Sequence, residues 1–399
     1  MGVDGRMSVV VFNAGSSSLK FGLYDGAAAP LAHGSVDWSG ASGPAEVVFA
    51  REGSEAVTTR PRVAGYRAAV AHALEAMKGA GGQPITAIGQ RVVHGGARFV
   101  APVPIDAEVK AEIGRLAELA PLHNPAAVET IDAAQSALPG VPQVAVFDTS
   151  FYSTLSAAQR VYPLPYEWFE EWGVQRFGFH GISHAYCAAR AAEMLGPRDR
   201  LHIVTCHLGN GCSVTACRDG RAVATTMGFT PMDGVMMGSR AGSLDPGILI
   251  YVQRHRGLTP ERLDDVLNHR SGLAGVSGVS SDYREVEKAA GEGNERARLA
   301  LAIYAGRVRE AVGALAVTLG HIDALVFTAG VGEHSTTLRA AVCEGLQCVG
   351  LRLDEERNRG QSADADIAAH DSAGRVLIIR TQEELTIARS VVALLAANP

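Results

Sequence analysis

The sequence predicts an α/β fold made of two related halves, each a sheet covered by helices. Two observations carry that prediction. Short β-branched runs alternate with capped helical segments along much of the chain. A strand–turn–strand pattern also recurs half a chain later. VVVFNAGSSSLKFGLYDG at 9–26 aligns without a gap on IVTCHLGNGCSVTACRDG at 203–220, an offset of 194. Asn13 falls on His207, Gly15 on Gly209, Asp25 on Asp219 and Gly26 on Gly220. Each copy reads as a β-hairpin followed by an Asp-Gly turn. Its return points to duplication, with chance resemblance of two Gly-rich hairpins as the competing reading. At roughly 150 residues per domain, 399 residues leave room for two or three domains.

Along the chain, residues 1–6 read as a disordered lead before Met7 and the first strand. Asn124–Pro125 starts a helix that Pro139–Gly140 stops. VAVFDTSF (144–151), which carries Asp148, and ALVFTAGVGE (324–333), which ends in a Gly-rich loop, read as matching late strands of the two halves. Asp245–Pro246 starts another helix, and Thr259–Pro260 a third that stops near Gly272. Residues 294–319 read as one long apolar-striped helix ending at Gly320, and 383–397 as the last helix. The first half is set at 1–150 plus 385–399, with the last helix packing back on it. The second half is 151–384.

Composition narrows the function. Hydrophobic residues make up 47% and charged residues 20%, which is ordinary for a globular chain. The net charge of −6 provides no basic field for nucleic acid or anionic lipid, so any anion site is built locally. No run of 18 apolar residues suggests a membrane span, and the N-terminus lacks a signal-peptide core. None of the six cysteines forms a CxxC pair. Cys206, Cys212 and Cys217 cluster, yet buried thiols in a reducing cytoplasm suit them better than zinc or disulfides. Lysine is nearly absent: Lys20, Lys78, Lys110 and Lys288 are the only four.

Four segments offer backbone N–H groups in tight turns of small residues, as phosphate sites do. They are Asn13–Lys20, His207–Gly211, Gly238–Gly242 around Arg240, and Thr328–Glu333. Each alone is an ordinary turn. Together, in a chain with neither GxxxxGK[ST] nor GxGxxG, they point to a nucleotide held by hairpin turns in a cleft between two domains.

These segments sit in blocks that resemble the acetokinase family, in order and over about residues 8–390. The blocks are VFNAGSSSLKF, RVVHGG (91–96), PLHNP (121–125), FDTSF (147–151), RFGFHGISH (176–184), HLGNGCS (207–213), MGFTPMDGVMMGSRAGSLDP (227–246), SGVSSDYR (277–284), FTAGVGE (327–333) and QEELTIA (382–388). The resemblance implies the two-domain fold of the actin, hexokinase and Hsp70 ATPase superfamily, with the nucleotide in the interdomain cleft. It implies a cytoplasmic homodimer that reversibly transfers the γ-phosphoryl group of ATP to acetate, giving acetyl phosphate and ADP. The cofactor would be Mg2+, with Mn2+ as a substitute.

Residue by residue, the resemblance makes Asn13 and Glu383 the metal positions and Lys20 a nucleotide contact. Arg91 would bind the substrate carboxylate, His180 and Arg240 would stabilise the transition state, and Asp148 would be the acid/base position. ATP would lie along His207, Leu208, Gly209, Asn210 and Gly211, along Asp282, Tyr283 and Arg284, and along Gly330, Val331, Gly332, Glu333 and His334. Val93, Leu122, Phe179 and Pro231 would line the methyl pocket. The chain departs from the family's usual Asn at His334 and Gln382, and from its usual His at Tyr152.

The chemistry suits these types. Phosphoryl transfer spreads negative charge over equatorial oxygens, and a guanidinium answers it bidentately while staying charged. His180, after an aromatic run read as a strand, would reach an opened cleft. His180 and His184 share i,i+4 spacing, but without the following Glu of a zinc protease. A carboxylate nucleophile is ionised near neutral pH, so Asp148 has no proton to take and is expected to orient Arg91 or to hold magnesium through water. Magnesium keeps waters and takes few protein ligands, which fits one Asn and one Glu. A propionate or other short-chain acyl kinase is the near alternative, and an actin- or Hsp70-like ATP switch is the distant one.

Overall fold

The computed structural model describes residues 7–15, 17–38, 44–121, 123–360 and 364–397. The lead 1–6 and the pocket residue Leu122 lie outside these. The chain divides into two compact units. Unit 1 runs to Phe151 and resumes at Gln382, and unit 2 is Tyr152–Thr381.

Unit 1 holds an eight-stranded sheet. Its strands are β1 (Ser8–Ala14), β2 (Ser18–Asp25), β3 (Pro30–Asp37), β4 (Glu46–Arg51), β5 (Val57–Thr59), β6 (Ala87–Val92), β7 (Val103–Pro104) and β8 (Gln143–Phe147), in the order β5-β4-β3-β2-β1-β6-β8-β7. β1 is antiparallel to β2 and parallel to β6, and β6 is parallel to β8. Every residue of β1 is buried because helices cover both faces, which is why it reads as an unbroken apolar run. Val10 and Phe12 join the core under the helices Gly65–Met77 and Asn124–Ala137. The helix Glu383–Ala397 packs on β1 and β6.

Unit 2 holds six strands: β9 (His202–Leu208), β10 (Cys212–Arg218), β11 (Arg221–Thr225), β12 (Ala324–Thr328), β13 (Ala365–Asp366) and β14 (Arg375–Ile378). Their order is β11-β10-β9-β12-β14-β13. That order repeats β3-β2-β1-β6-β8-β7 strand for strand, with the same directions, and unit 1 adds β4 and β5 at one edge. The duplication expected from the hairpin repeat is therefore present throughout both sheets. The helices Gly181–Leu195 and Glu295–Leu319 pack on β9.

Four expectations need correction. β12 stands where β6 stands, one strand nearer the centre than β8, so 144–151 and 324–333 are not counterparts; β14 matches β8. The segment 329–334 is a short helix rather than a loop, and Asp148 opens a 3-10 turn after β8 ends at Phe147. The aromatic run 176–179 is not a strand; only Gln175 makes an isolated bridge, to Val161. The hairpins also differ: Ala14 pairs Leu19 while Leu208 pairs Cys212, so the second turn is shorter although the sequences align without a gap.

Capping signals place the helices well. Asp245, Thr259 and Asn294 each accept a backbone N–H at the start of Pro246–Arg256, Pro260–His269 and Glu295–Leu319, and Gly320 ends the last. Among the described residues no helix is long and apolar enough to cross a membrane.

Gly89 on β6 marks where the last helix crosses the sheet. An added Cβ would stand 2.7 Å from Ile387 Cγ2 and 3.0 Å from Val391 Cγ2. Gly89→Val is expected to destabilise the protein by about 1–3 kcal/mol through overpacking, read as a lower urea midpoint. An unchanged midpoint would show that the helix does not press on the sheet.

Candidate functional site

In unit 1, strand ends bring four predicted residues together. Asn13 lies near the end of β1, Arg91 near the end of β6, Asp148 just after β8, and Glu383 at the start of the last helix. Arg91 donates from Nη2 and Nε to Asp148 Oδ2, at 2.6 and 3.2 Å, and from Nη1 to Asn13 Oδ1 at 2.9 Å. Asn13 Nδ2 donates to Glu383 Oε2 at 3.0 Å and to Glu384 Oε1 at 2.8 Å. This amide orientation is forced, since the reverse would set its oxygen against two carboxylates. Burial pulls the Arg91 pKa down, but Asp148, Glu383 and Glu384 outweigh it and hold the guanidinium above its ordinary range.

Asp148 is fully buried, and Asn13 and Glu383 nearly so. Three carboxylates therefore face one guanidinium, a surplus of negative charge that suits a divalent cation. Lys20 pairs with Asn13 across the hairpin and is exposed. The other lysines lie near acids: Lys78 by Glu75, Lys110 by Asp132 and Lys288 by Glu292. Val93 is buried in this unit.

In unit 2 the cation is differently set. Arg240 donates from Nη1 to Pro231 O at 2.7 Å. Among the described residues no carboxylate pairs with it, and burial pulls its pKa below the ordinary value. An added Cβ at Gly211 would lie 2.7 Å from Arg240 Nη2 and 3.3 Å from His180 Nε2. Gly211, Arg240 and His180 thus share one spot, with the guanidinium set against the glycine.

His180 caps the helix Gly181–Leu195 with φ +56°, a left-handed backbone that costs a non-glycine residue on the order of 1–3 kcal/mol. The preceding turn is braced by Tyr152, whose hydroxyl donates to Phe179 O at 2.6 Å. The Tyr152 ring fills the space beside Gly178, so the departure at Tyr152 is structural. The His180 and His207 rings stack 4.2 Å apart. Phe179 is buried and Pro231 half-buried.

The proposed nucleotide turns divide. Leu208 is buried, and an added Cβ at Gly332 would lie 3.6 Å from its Cβ, so 207–211 and 329–334 adjoin. Asn210 lies against Gly238, whose N–H donates to Asn210 O at 3.0 Å. Gly330 and His334 are exposed and Val331 half-buried. Glu333 braces the turn, accepting from Ala329 N at 2.9 Å and Thr381 N at 3.3 Å. Asp282 caps the helix Tyr283–Gly291 and pairs with Arg284, while Tyr283 is buried edge-on against Tyr304. These last three side chains have partners of their own.

Sequence reading missed three groups. Arg339 is buried and donates to Gly332 O, Glu333 O and Asn358, which holds the 329–334 turn from beneath. The available signal was an arginine in TTLRAAVC with no acid at helical spacing. Ser213 and Thr205, inward-facing on β10 and β9, bond to histidines and gave no signal beyond alternation. All six cysteines are free thiols, and no metal-competent cluster among the described residues includes one. The one such cluster, His202, His321 and Asp323, lies at the opposite end of β9 from the turn, its groups facing one another.

His184 is fully buried between Thr205 Oγ1 and Ser213 Oγ. Burial, with His207 adding to it, holds its pKa well below the ordinary 6.5. Between the folded value and 6.5 the unfolded chain binds the extra proton, so stability present above 6.5 is lost as pH falls through that window. The urea midpoint is expected to drop between about pH 7.5 and pH 5.5, and His184→Gln to remove part of that slope. Equal slopes in the two proteins would contradict this.

Comparison with known proteins bears on the whole chain. The profile described as the acetokinase family matches residues 8–389. An acetate kinase of Cyanothece sp. is 47% identical over 98% of this chain and 99% of its own length. That of Methanosarcina acetivorans is 43% identical over 96% of each. Among solved structures, Porphyromonas gingivalis acetate kinase superposes with a TM-score of 0.86 at 39% identity, covering 98% of this chain and all of that one. A propionate kinase from Francisella tularensis does so at 0.89 and 35%, covering 96% and 98%. With the family profile matching residues 8–389 and a relative 47% identical over 98% of the chain, the chain belongs to the acetokinase family.

Proposed function

We propose that the chain transfers the γ-phosphoryl group of ATP reversibly to acetate, giving acetyl phosphate and ADP. The observation that carries this reading is the contrast between its two arginines. Arg240 is a half-buried cation with no carboxylate partner among the described residues, beside His180 and the Gly211 turn, as an incoming phosphoryl group requires. Arg91 is fixed by Asp148 and Asn13, yet its terminal nitrogens keep N–H donors beyond those three bonds to offer a carboxylate.

Acetate is already ionised near neutral pH, so transfer needs no general base, and Asp148 serves by holding Arg91. Glu383 and Asn13 would hold Mg2+, which supplies charge neutralisation on the phosphates. The surplus of carboxylates supports that fit. The turns 207–211 and 329–334 adjoin, which supports their use for the nucleotide, with Lys20, Asp282, Tyr283 and Arg284 as further contacts. Val93, Leu122, Phe179 and Pro231 are proposed to line the methyl pocket. A pocket discriminates one methylene by only about 1–3 kcal/mol, so propionate is expected as a weaker substrate.

We also infer a cytoplasmic homodimer. The helix Pro246–Arg256 fully buries none of its side chains and exposes Ile248, Ile250 and Tyr251, a surface suited to a second copy. The free thiols suit a reducing compartment. Tyr251→Glu is expected to shift the sedimentation equilibrium from dimer to monomer, and a monomeric parent protein would end this reading.

With acetate, Mg-ATP and hydroxylamine, acetohydroxamate is expected to form, faster than the propionate product. Arg91→Ala should cut kcat/KM for acetate by about 10²–10³-fold while leaving KM for ATP nearly unchanged. ATP hydrolysis without acetate and without hydroxamate would instead indicate a nucleotide switch.

A further inference from the structure

Behind His180 runs a chain of side-chain hydrogen bonds that transfer itself does not use. His180 Nδ1 lies 2.8 Å from Ser213 Oγ, and the same oxygen lies 2.7 Å from His184 Nε2. His184 Nδ1 lies 2.6 Å from Thr205 Oγ1, which donates to Thr215 O at 3.4 Å. Ser213, His184 and Thr205 are all fully buried.

We infer that Ser213, backed by His184 and Thr205, is a positioning residue that sets the tautomer of His180, with the proton on Nδ1 and Nε2 turned to Arg240 and the Gly211 turn. The inference rests on the reading that His180 serves phosphoryl transfer. It follows from counting protons. In the inferred order Thr205 gives its one proton to Thr215 O, 3.4 Å away, and its oxygen accepts from His184 Nδ1 at 2.6 Å. A neutral imidazole carries one N–H, which leaves His184 Nε2 bare to take the single proton of Ser213. Burial keeps His184 neutral. In that order Ser213 Oγ has only acceptor capacity left for His180, whose Nδ1 is the donor.

This arrangement has a use. A histidine at a transferring group needs its ring plane and its facing nitrogen fixed before substrate arrives. The left-handed backbone at His180 fixes where the side chain leaves the helix, and Ser213 fixes how the ring is turned. Because Ser213 touches no reacting atom, its effect passes through His180.

The test combines spectroscopy and kinetics. In the full-length protein labelled with 15N at histidine, the His180 signals are identified by their loss in His180→Ala. They are expected to show a protonated Nδ1 and a bare Nε2. Ser213→Ala should mix the two tautomers and lower kcat by about 10- to 100-fold, the scale of a small misplacement, with KM for ATP and acetate changing little. Ser213→Thr keeps the hydroxyl and should restore most of kcat. A proton on Nε2 in the parent protein overturns the inference, as does full turnover in Ser213→Ala when His180→Ala is inactive. Full turnover in His180→Ala would instead overturn the functional reading, and the parent spectrum would still decide the tautomer.

Discussion

The arrangement in unit 1 depends on keeping one guanidinium ionised inside a protein. Moving a charge out of water costs several kcal/mol even after relaxation, and only close, well-aligned partners offset it. Arg91 meets that demand with two hydrogen bonds to Asp148 and one to Asn13. Those partners come from β1 and from the turn after β8, and Arg91 from β6 between them, so the parallel pairing of three strands is what brings them into reach. The last helix adds Glu383 and Glu384 to Asn13, and lies close enough because β6 carries Gly89 beneath it. Backbone packing and site electrostatics are thus one problem with one solution.

Unit 2 uses the same sheet for the opposite electrostatic end. Chemistry again gathers at the carboxyl ends of the strands, where open α/β sheets bind ligands. Here, however, the cation has no acidic partner among the described residues, and histidines with hydroxyl partners replace the carboxylates. A duplicated frame has been given two chemistries, one rich in negative charge and one receptive to it. The shorter hairpin turn in unit 2 is part of that difference, since Gly211 leaves the space that Arg240 and His180 occupy.

Much of this was legible in the sequence, for local reasons. Helix starts at Asp245, Thr259 and Asn294 were readable because an N-cap is satisfied by its own neighbours. The hairpins were readable because turn and alternation lie in one short window. What is not local was misread. That β12 answers to β6 and not to β8 depends on which strands become neighbours, which no window records. Arg339 looked like any helical arginine, because its carbonyl partners lie on the preceding turn and at Asn358. Ser213 and Thr205 looked like routine strand residues, because their value lies in what faces them. The resemblance located the arginines and His180, and only the fold shows how each is held.

The four lysines, three of them beside carboxylates, take on a further meaning once the reaction is known. Acyl phosphates acylate free amines, so an enzyme that makes one is bathed in a reagent for its own side chains. Arginine, which stays protonated, carries most of this chain's positive charge and offers that reagent no nucleophile. A surface furnished in this way presents few amines to its own product.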